Sequence, residues 1–449
     1  MRFKTVVSLA LLLGGAVAPA PDAHAVPPAA PDTLRFAPAP DAHVVPPAAP
    51  DTLRFAPAPR DREADLEERV PHFGHAEPWL RTPIGDRLLI DPDEWRTEGR
   101  RSGRLNGTFD YNRVDPLRLG LGAEFQRPGT RLTRLGGRIE YATGRDRTLY
   151  GLQIEQPLVR SGRYSVGAMV VRVTGHNDLQ QVEDLENSLA LLLARTDHRD
   201  YFEREGRGAY LSWRVPDFST VSVHLRSDDY RSIALDRRTR SWFYRDRDLR
   251  PNPPIEPGTA RSALLRLERL AHRTRSTHAG LYHGIELEWA GGRLGGDFDY
   301  TRALADVRGV LRLSPATTLV LRTVAGHVTT GTLPFQKQFV TGGVDGLRAH
   351  ASGQFRGNQM LLGQAEAVFG LWHLRSRGFE GGLHAIAFLD AGRAWFDPGR
   401  AWDVGRQHLA ADAGLGLGTS EDNLRVYFAK NLQDPASDLV ISVRLQRPF

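Results

Sequence analysis

The chain has 449 residues, 41% of them hydrophobic, and a mean hydropathy of −0.38. Beyond its N-terminus it contains no apolar run of about 18 residues, which excludes a bundle of membrane-spanning helices. Lys+Arg is 59 against Asp+Glu 53, a net charge of +6. The two signs interleave along the whole chain rather than gathering in one basic stretch, which argues against a nucleic-acid partner. There is no cysteine, so disulfide frameworks and thiolate sites are ruled out.

Residues 1–25 read as a secretory signal peptide. Arg2 and Lys4 provide the basic start, Val6 to Val17 the apolar stretch, and Ala23-His24-Ala25 a small-x-small cleavage site, with Ala18-Pro19-Ala20 as an alternative. A tandem duplication follows, in which Pro21 to Ala39 recurs as Pro40 to Ala58 with Val44 in place of Ala25. Proline at this density favours an extended, solvated backbone, so residues 26–59 read as a spacer. Residues 60–102 are charged and too few for a stable domain of their own. They predict a short periplasmic segment with a helix at 61–69 and a strand-like patch at 87–90.

From Arg104 onward the sequence alternates with period two, as strands do when one face meets lipid and the other a polar lumen. Leu117, Leu119, Leu121, Ala123 and Phe125 share one face, and Arg118, Gly120, Gly122, Glu124 and Gln126 the other. The same pattern recurs around Val223, Ile285 and Leu415. Strands are predicted near 103–113, 117–127, 133–143, 148–158, 162–174, 206–215, 219–230 and 261–272. A second set follows near 279–290, 297–313, 317–328, 358–369, 381–391, 407–418, 423–431 and 437–449. The fold class is therefore all-β: a transmembrane antiparallel β-barrel of about sixteen strands across 103–449. The long connections, 175–205, 231–260, 329–357 and 392–406, each follow an odd-numbered strand, as long outer loops and short periplasmic turns require. The strand at 297–313 changes phase and needs a bulge near Arg302–Ala305. In the loop 175–205, the apolar run Leu189–Ala194 before Asp197–Phe202 predicts a short helix at the barrel mouth. The chain stops at Phe449 on an alternating strand, the form of a terminal assembly signal.

Three segments share one logic. Gly342-Gly343-Val344-Asp345-Gly346-Leu347-Arg348-Ala349-His350 lies in the long connection after the eleventh predicted strand. Glu366 lies on the twelfth, and Phe388-Leu389-Asp390-Ala391-Gly392 ends the thirteenth. A loop folded into a barrel must be pinned, and a guanidinium fork can donate to two carboxylates at once. By strand parity Glu366 and Asp390 both face the lumen, so Arg348 is expected to bridge them.

Together these segments resemble the BamA/TamA family of outer-membrane barrels, the bacterial surface antigen superfamily. Its members carry a Gly-Gly…Arg-Gly-aromatic motif in the inward loop and Phe-x-Asp-x-Gly on the wall. The resemblance implies a loop motif at Gly342, Gly343 and Gly346, a wall motif at Phe388 and Gly392, and the ion network Arg348, Glu366 and Asp390. It implies a bacterial outer-membrane protein exported through the Sec pathway, with its N-terminal segment in the periplasm. The implied partners are outer-membrane lipid, the assembly machinery through the C-terminal strand, and nascent outer-membrane or secreted proteins. It also implies a labile seam between the first and last strands, where Gly103 and Gly107 weaken pairing. The chain departs from the pattern in two places. Arg348-Ala349-His350 lacks the glycine and the aromatic, and 26–102 holds no polypeptide-transport-associated repeat.

No Gly-x-Ser-x-Gly elbow, His-Glu-x-x-His helix or P-loop lysine occurs, and no catalytic, cofactor-binding or metal-binding residue is assigned. Asp228-Asp229 with His224 is the one acid/base candidate. His72 and His75 lie in a solvated segment. The leading reading is a non-enzymatic barrel in outer-membrane biogenesis or translocation. A passive channel or structural barrel is the alternative, and a hydrolase on the rim is the third.

Overall fold

A computed structural model describes residues 103–126, 133–159, 163–215, 219–244, 246, 248–269, 280–376, 379–397, 402, 404–419 and 424–445. The expected signal peptide, spacer and periplasmic segment, with His72 and His75, lie outside the described residues, as does Phe449. The first wall strands are β1 (Gly103–Asp110), β2 (Arg118–Gln126), β3 (Arg134–Ala142), β4 (Arg147–Pro157), β5 (Tyr164–His176) and β6 (Tyr201–Arg214). Next come β7 (Thr220–Ser232), β8 (Gly258–Arg269), β9 (Gly280–Ala290), β10 (Tyr300–Ser314) and β11 (Thr317–Gly331). The short strands β12 (Phe339–Thr341) and β13 (Phe355–Gly357) pair with each other inside the following loop. The wall resumes with β14 (Gln359–Ser376), β15 (Phe379–Trp395), β16 (Ala410–Thr419), β17 (Arg425–Asn431) and β18 (Val440–Arg444).

Sixteen of these strands form one antiparallel sheet in strict chain order, with β1 and β18 at its two ends. This is the transmembrane β-barrel fold that the alternation predicts, and each of the sixteen predicted strands overlaps one in the sheet. Hairpin connectivity follows from the short sequence separations after even-numbered wall strands, which favour pairing of each strand with the one before it.

The burial pattern is inside-out relative to a soluble sheet. On β2, Leu119, Leu121 and Phe125 are exposed while Arg118 and Glu124 are buried. On β7, Val223 and Leu225 are exposed, and Ser222, His224 and Arg226 are buried. Apolar residues outward and polar ones inward is what a wall between hydrocarbon and a filled lumen requires. The bulge expected near Arg302–Ala305 of β10 is not there. Tyr300, Arg302, Leu304, Asp306 and Val310 are buried in one unbroken alternation, and the register with β9 is continuous. Against β11 the register shifts at Thr301/Arg302, with the extra residue Thr329 on β11, and at Arg312/Ser314, with the extra residue Leu313 on β10. One strand therefore suffices, because Tyr300 faces inward.

The lumen is filled by two outer loops. Loop 332–358 carries the β12–β13 hairpin; its Phe339, Val340 and Leu347 pack on Leu304, Val324, Val328, Met360 and Leu362 of the wall. Each such buried side chain contributes about 1.5–3 kcal/mol of hydrophobic stabilisation. Loop 177–200 contains the helix α1 (Asp184–Ala194), which stops at Arg195 in the left-handed conformation. The helix begins five residues before the apolar run Leu189–Ala194, and Tyr201 and Phe202 open β6 instead of extending it.

Candidate functional site

The glycine-rich segment of loop 332–358 turns back on itself. Gly342 and Gly343 take φ of +109° and +80°, a region that side chains disfavour. The Gly343 N–H donates to the carbonyls of Leu347 and His350, both at 2.9 Å, and Gly346 N–H donates back to Gly343 at 3.0 Å. This tight fold leaves Arg348 projecting at the wall.

Register sets what Arg348 meets. Gln364 pairs with Asp390, Asp390 with Asp412, and Asp412 with Asn431, so four polar residues form one row across β14 to β17. Glu366 pairs with Phe388 one step along the same luminal face, and Gly392 pairs with Leu362 beyond the row. Arg348 Nη2 lies 2.7 Å from Glu366 Oε1, and its Nε lies 3.4 Å from Asp390 Oδ2. All three residues are at most 1% exposed. The guanidinium carbon also sits 4.2 Å from the Phe388 ring centroid and 4.5 Å from that of Tyr427. The cation thus lies beside two carboxylates and in the corner formed by two aromatic rings set edge to face, 5.6 Å apart.

Several partners escaped the sequence reading. Arg425 donates to Glu366 Oε2 at 3.0 Å, and the Tyr427 hydroxyl donates to Glu366 Oε1 at 3.0 Å. Gln364 donates to the Gly346 carbonyl at 2.9 Å and to Asp390 at 3.2 Å. Asp412 accepts from the Ala349 N–H at 2.7 Å, and one of its oxygens lies 3.0 Å from His350 Nδ1. His350, where the family pattern has an aromatic, therefore holds a polar seat on β16, with its ring 5.2 Å from that of Phe355. Period-two parity places Arg425, Tyr427 and Asp412 on the luminal face, but only the cross-strand register brings them to Arg348 and His350.

The loop is tied elsewhere too. Lys337 pairs with Glu288 at 3.3 Å, and Arg356 with Asp200 at 3.0 Å. The Asp345 carboxylate accepts from Arg444 at 3.1 Å and from the Val182 N–H at 2.9 Å. His198 Nδ1 lies 3.0 Å from Ser352 Oγ, joining the two inward loops. Burial pushes the His198 imidazole down to about 4 against the opposing pull of Asp345 and Asp197, so it is neutral at pH 7.

The acid/base candidate is not assembled. Asp228 pairs with Arg226 at 2.5 Å, and Asp229 points to the opposite face toward Thr259. His224 instead contacts Ser222 at 2.9 Å and stacks on Tyr210.

A sixteen-stranded wall with an apolar exterior and an ion-paired loop in its lumen defines a class of outer-membrane β-barrels. The Omp85 superfamily domain matches residues 95–441, and the chain belongs to that superfamily. It is thus a bacterial outer-membrane protein. In fold it is similar to BamA from Haemophilus ducreyi lacking POTRA domains 1-3, with a TM-score of 0.52 and 15% identity over 77% of this chain and 70% of that one. CdiB from Escherichia coli matches with a TM-score of 0.45 and 13% identity, over 77% of this chain and 62% of that one. CdiB from Acinetobacter baumannii matches with a TM-score of 0.42 and 13% identity, over 83% and 72% respectively. No curated protein matches the sequence.

Proposed function

We propose that this Omp85 barrel acts without enzymatic chemistry in outer-membrane protein biogenesis or protein translocation. Its lumen is closed by loop 332–358 until a client engages. The observation that carries the reading is the Arg348 clamp, a fully buried cation held by Glu366 and Asp390 against the rings of Phe388 and Tyr427. A purely passive pore has no need of such a clamp, since any filled lumen obstructs flow. A clamp with a defined seat does suit a loop that must hold one position while cargo is handled beside it.

In this reading clients pass at the seam between β1 and β18, and Phe449 marks the strand that the assembly machinery reads during the barrel's own insertion. Residues 1–25 direct export, 26–59 act as a spacer, and 60–102 stay in the periplasm. Depleting the protein from its host and quantifying the outer-membrane and secreted proteins tests the reading. It expects the selective loss of particular barrels or secreted proteins. Unchanged levels of all of them, alongside altered permeability to small solutes, would favour a channel instead.

A further inference from the structure

Helix α1 has its burial inverted. Glu186, Asn187 and Ser188 are buried, Asn187 completely, while Leu185 is 41% and Leu193 is 40% exposed. A surface helix in water shows the reverse. The wall strands of this protein show the same inversion, with leucines outward and charges inward.

The contacts of the helix say where it sits. Glu186 Oε1 pairs with Arg444 Nε at 2.6 Å, and its other oxygen accepts from the Leu445 N–H at 3.1 Å, fixing one flank to β18. Ser188 Oγ donates to Asp110 at 3.1 Å and accepts from the Tyr111 N–H at 2.8 Å, fixing the other flank to the end of β1. These are the two end strands of the sheet. Asp110 and Arg444 both lie on the buried phase of their strands, whereas their neighbours Phe109 and Val443 are exposed.

At about 100° per residue, Glu186 and Ser188 stand on opposite flanks of the helix. Asn187 and Leu191 fall between them on one side. That side is buried: Asn187 donates to Asp197 and to the Tyr201 hydroxyl, and the Leu191 carbonyl accepts from Ser241. Leu185, Leu189, Leu192 and Leu193 fall between the flanks on the other side, Leu185 and Leu193 exposed and Leu189 and Leu192 half-buried. With one flank on β1, the other on β18 and the polar side in the lumen, the leucine side points outward between the two strands.

We propose that α1 completes the barrel wall at the seam, with Leu185, Leu189 and Leu192 docked against the hydrocarbon of the bilayer. The stripe is continuous with an interface already described. Leu105 and Phe109 on β1 and Ile441 and Val443 on β18 flank it on the lipid-facing band. The seam is then spanned by side-chain contacts to a helix, which can be released without breaking a strand ladder. The inference concerns the wall and holds whichever cargo the protein handles.

Because the chain has no cysteine, single spin labels can be placed without background. Leu185→Cys, Leu189→Cys and Leu192→Cys are labelled in the full chain folded into phosphatidylcholine vesicles, with Leu121→Cys as lipid reference and Arg238→Cys as water reference. Power-saturation measurements then compare collision with oxygen, which partitions into lipid, and with a water-soluble nickel chelate. The expected result is that the three helix positions behave as Leu121→Cys does, accessible to oxygen and shielded from nickel. Nickel accessibility matching Arg238→Cys would overturn the proposal in favour of a stripe facing water. Shielding from both reagents would overturn it in favour of a protein cover, such as a second copy or a client strand. Heat-dependent mobility on gels confirms folding of each variant, and three positions keep the test decisive if one fails to fold.

Discussion

Loops 332–358 and 177–200 both enter the lumen, yet they are seated by different means. The first sets a buried guanidinium against two aromatic rings and two carboxylates, with Phe339 and Leu347 of the same loop packed on the wall. The second sends in a helix that buries Glu186, Asn187, Ser188 and Leu191 while Leu185 and Leu193 stay exposed. Buried charge serves both loops, as the Arg348 clamp in the first and as the Arg199–Asp184 and Arg113–Asp197 pairs in the second. The difference follows from what each loop must do with its backbone. The glycine turn at 342–346 offers its Val344, Asp345 and Gly346 carbonyls to Arg444, Arg322 and Gln364 of the wall, while Arg348 just beyond it reaches the wall carboxylates. The helix satisfies its own backbone and can span the distance between two strand ends.

This contrast can be broken first at Arg348. Arg348→Ala leaves Glu366 and Asp390 buried with less compensation, at a cost of about 3–5 kcal/mol. Denaturant titration of the detergent-folded barrel should show that loss. Arg348→Lys should recover part of it, because a point charge lacks the planar fork.

The next largest effect is expected one residue away from Asp390, on the other face of β15. Leu389 is 50% exposed, and Leu389→Arg places a charge in the lipid band, at about 2–4 kcal/mol near the midplane. Its signature is selective. Stability should fall in vesicles and change little in a detergent that lets the charge reach water.

Asp412→Ala tests the secondary seat of the loop. It removes the acceptor of the Ala349 N–H and the partner of His350, at about 1–3 kcal/mol for the unsatisfied donor. Hydrogen exchange at Ala349 should accelerate while the wall strands keep their protection.

The smallest effect is pH-dependent and belongs to the junction of the two loops. His198 titrates near 4 in the folded protein against 6.5 in an unfolded chain, so between these values the unfolded state binds more protons. Its contribution is present above pH 6.5 and is lost as pH falls toward 4. His198→Gln should flatten that part of the stability profile.

The wall was legible because lipid and lumen impose period two on every strand, and because a hairpin meander needs no long-range information to order its strands. Arg348, Glu366 and Asp390 were singled out for a different reason, the resemblance of their motifs to a known family and a parity argument that put both carboxylates on the luminal face. Arg425, Tyr427 and Asp412 were not singled out, since their proximity depends on register summed over four strands. The helix was only half visible. Its polar first turns, Asp184 to Ser188, read as loop because their buried partners lie at the two distant ends of the wall. The bulge expected near Arg302–Ala305 of β10 was wrong, because the strand keeps one phase through that stretch and the extra residue, Thr329, lies on β11.

The central claim is that loop 332–358, pinned by Arg348, closes the lumen. Single-channel recording in planar bilayers compares the intact protein with Arg348→Ala, using only material whose gel mobility shows a folded barrel. The account predicts a wild-type protein that is closed or opens rarely, and a variant with frequent, larger openings. A wild-type protein already conducting at the level of the variant would contradict it.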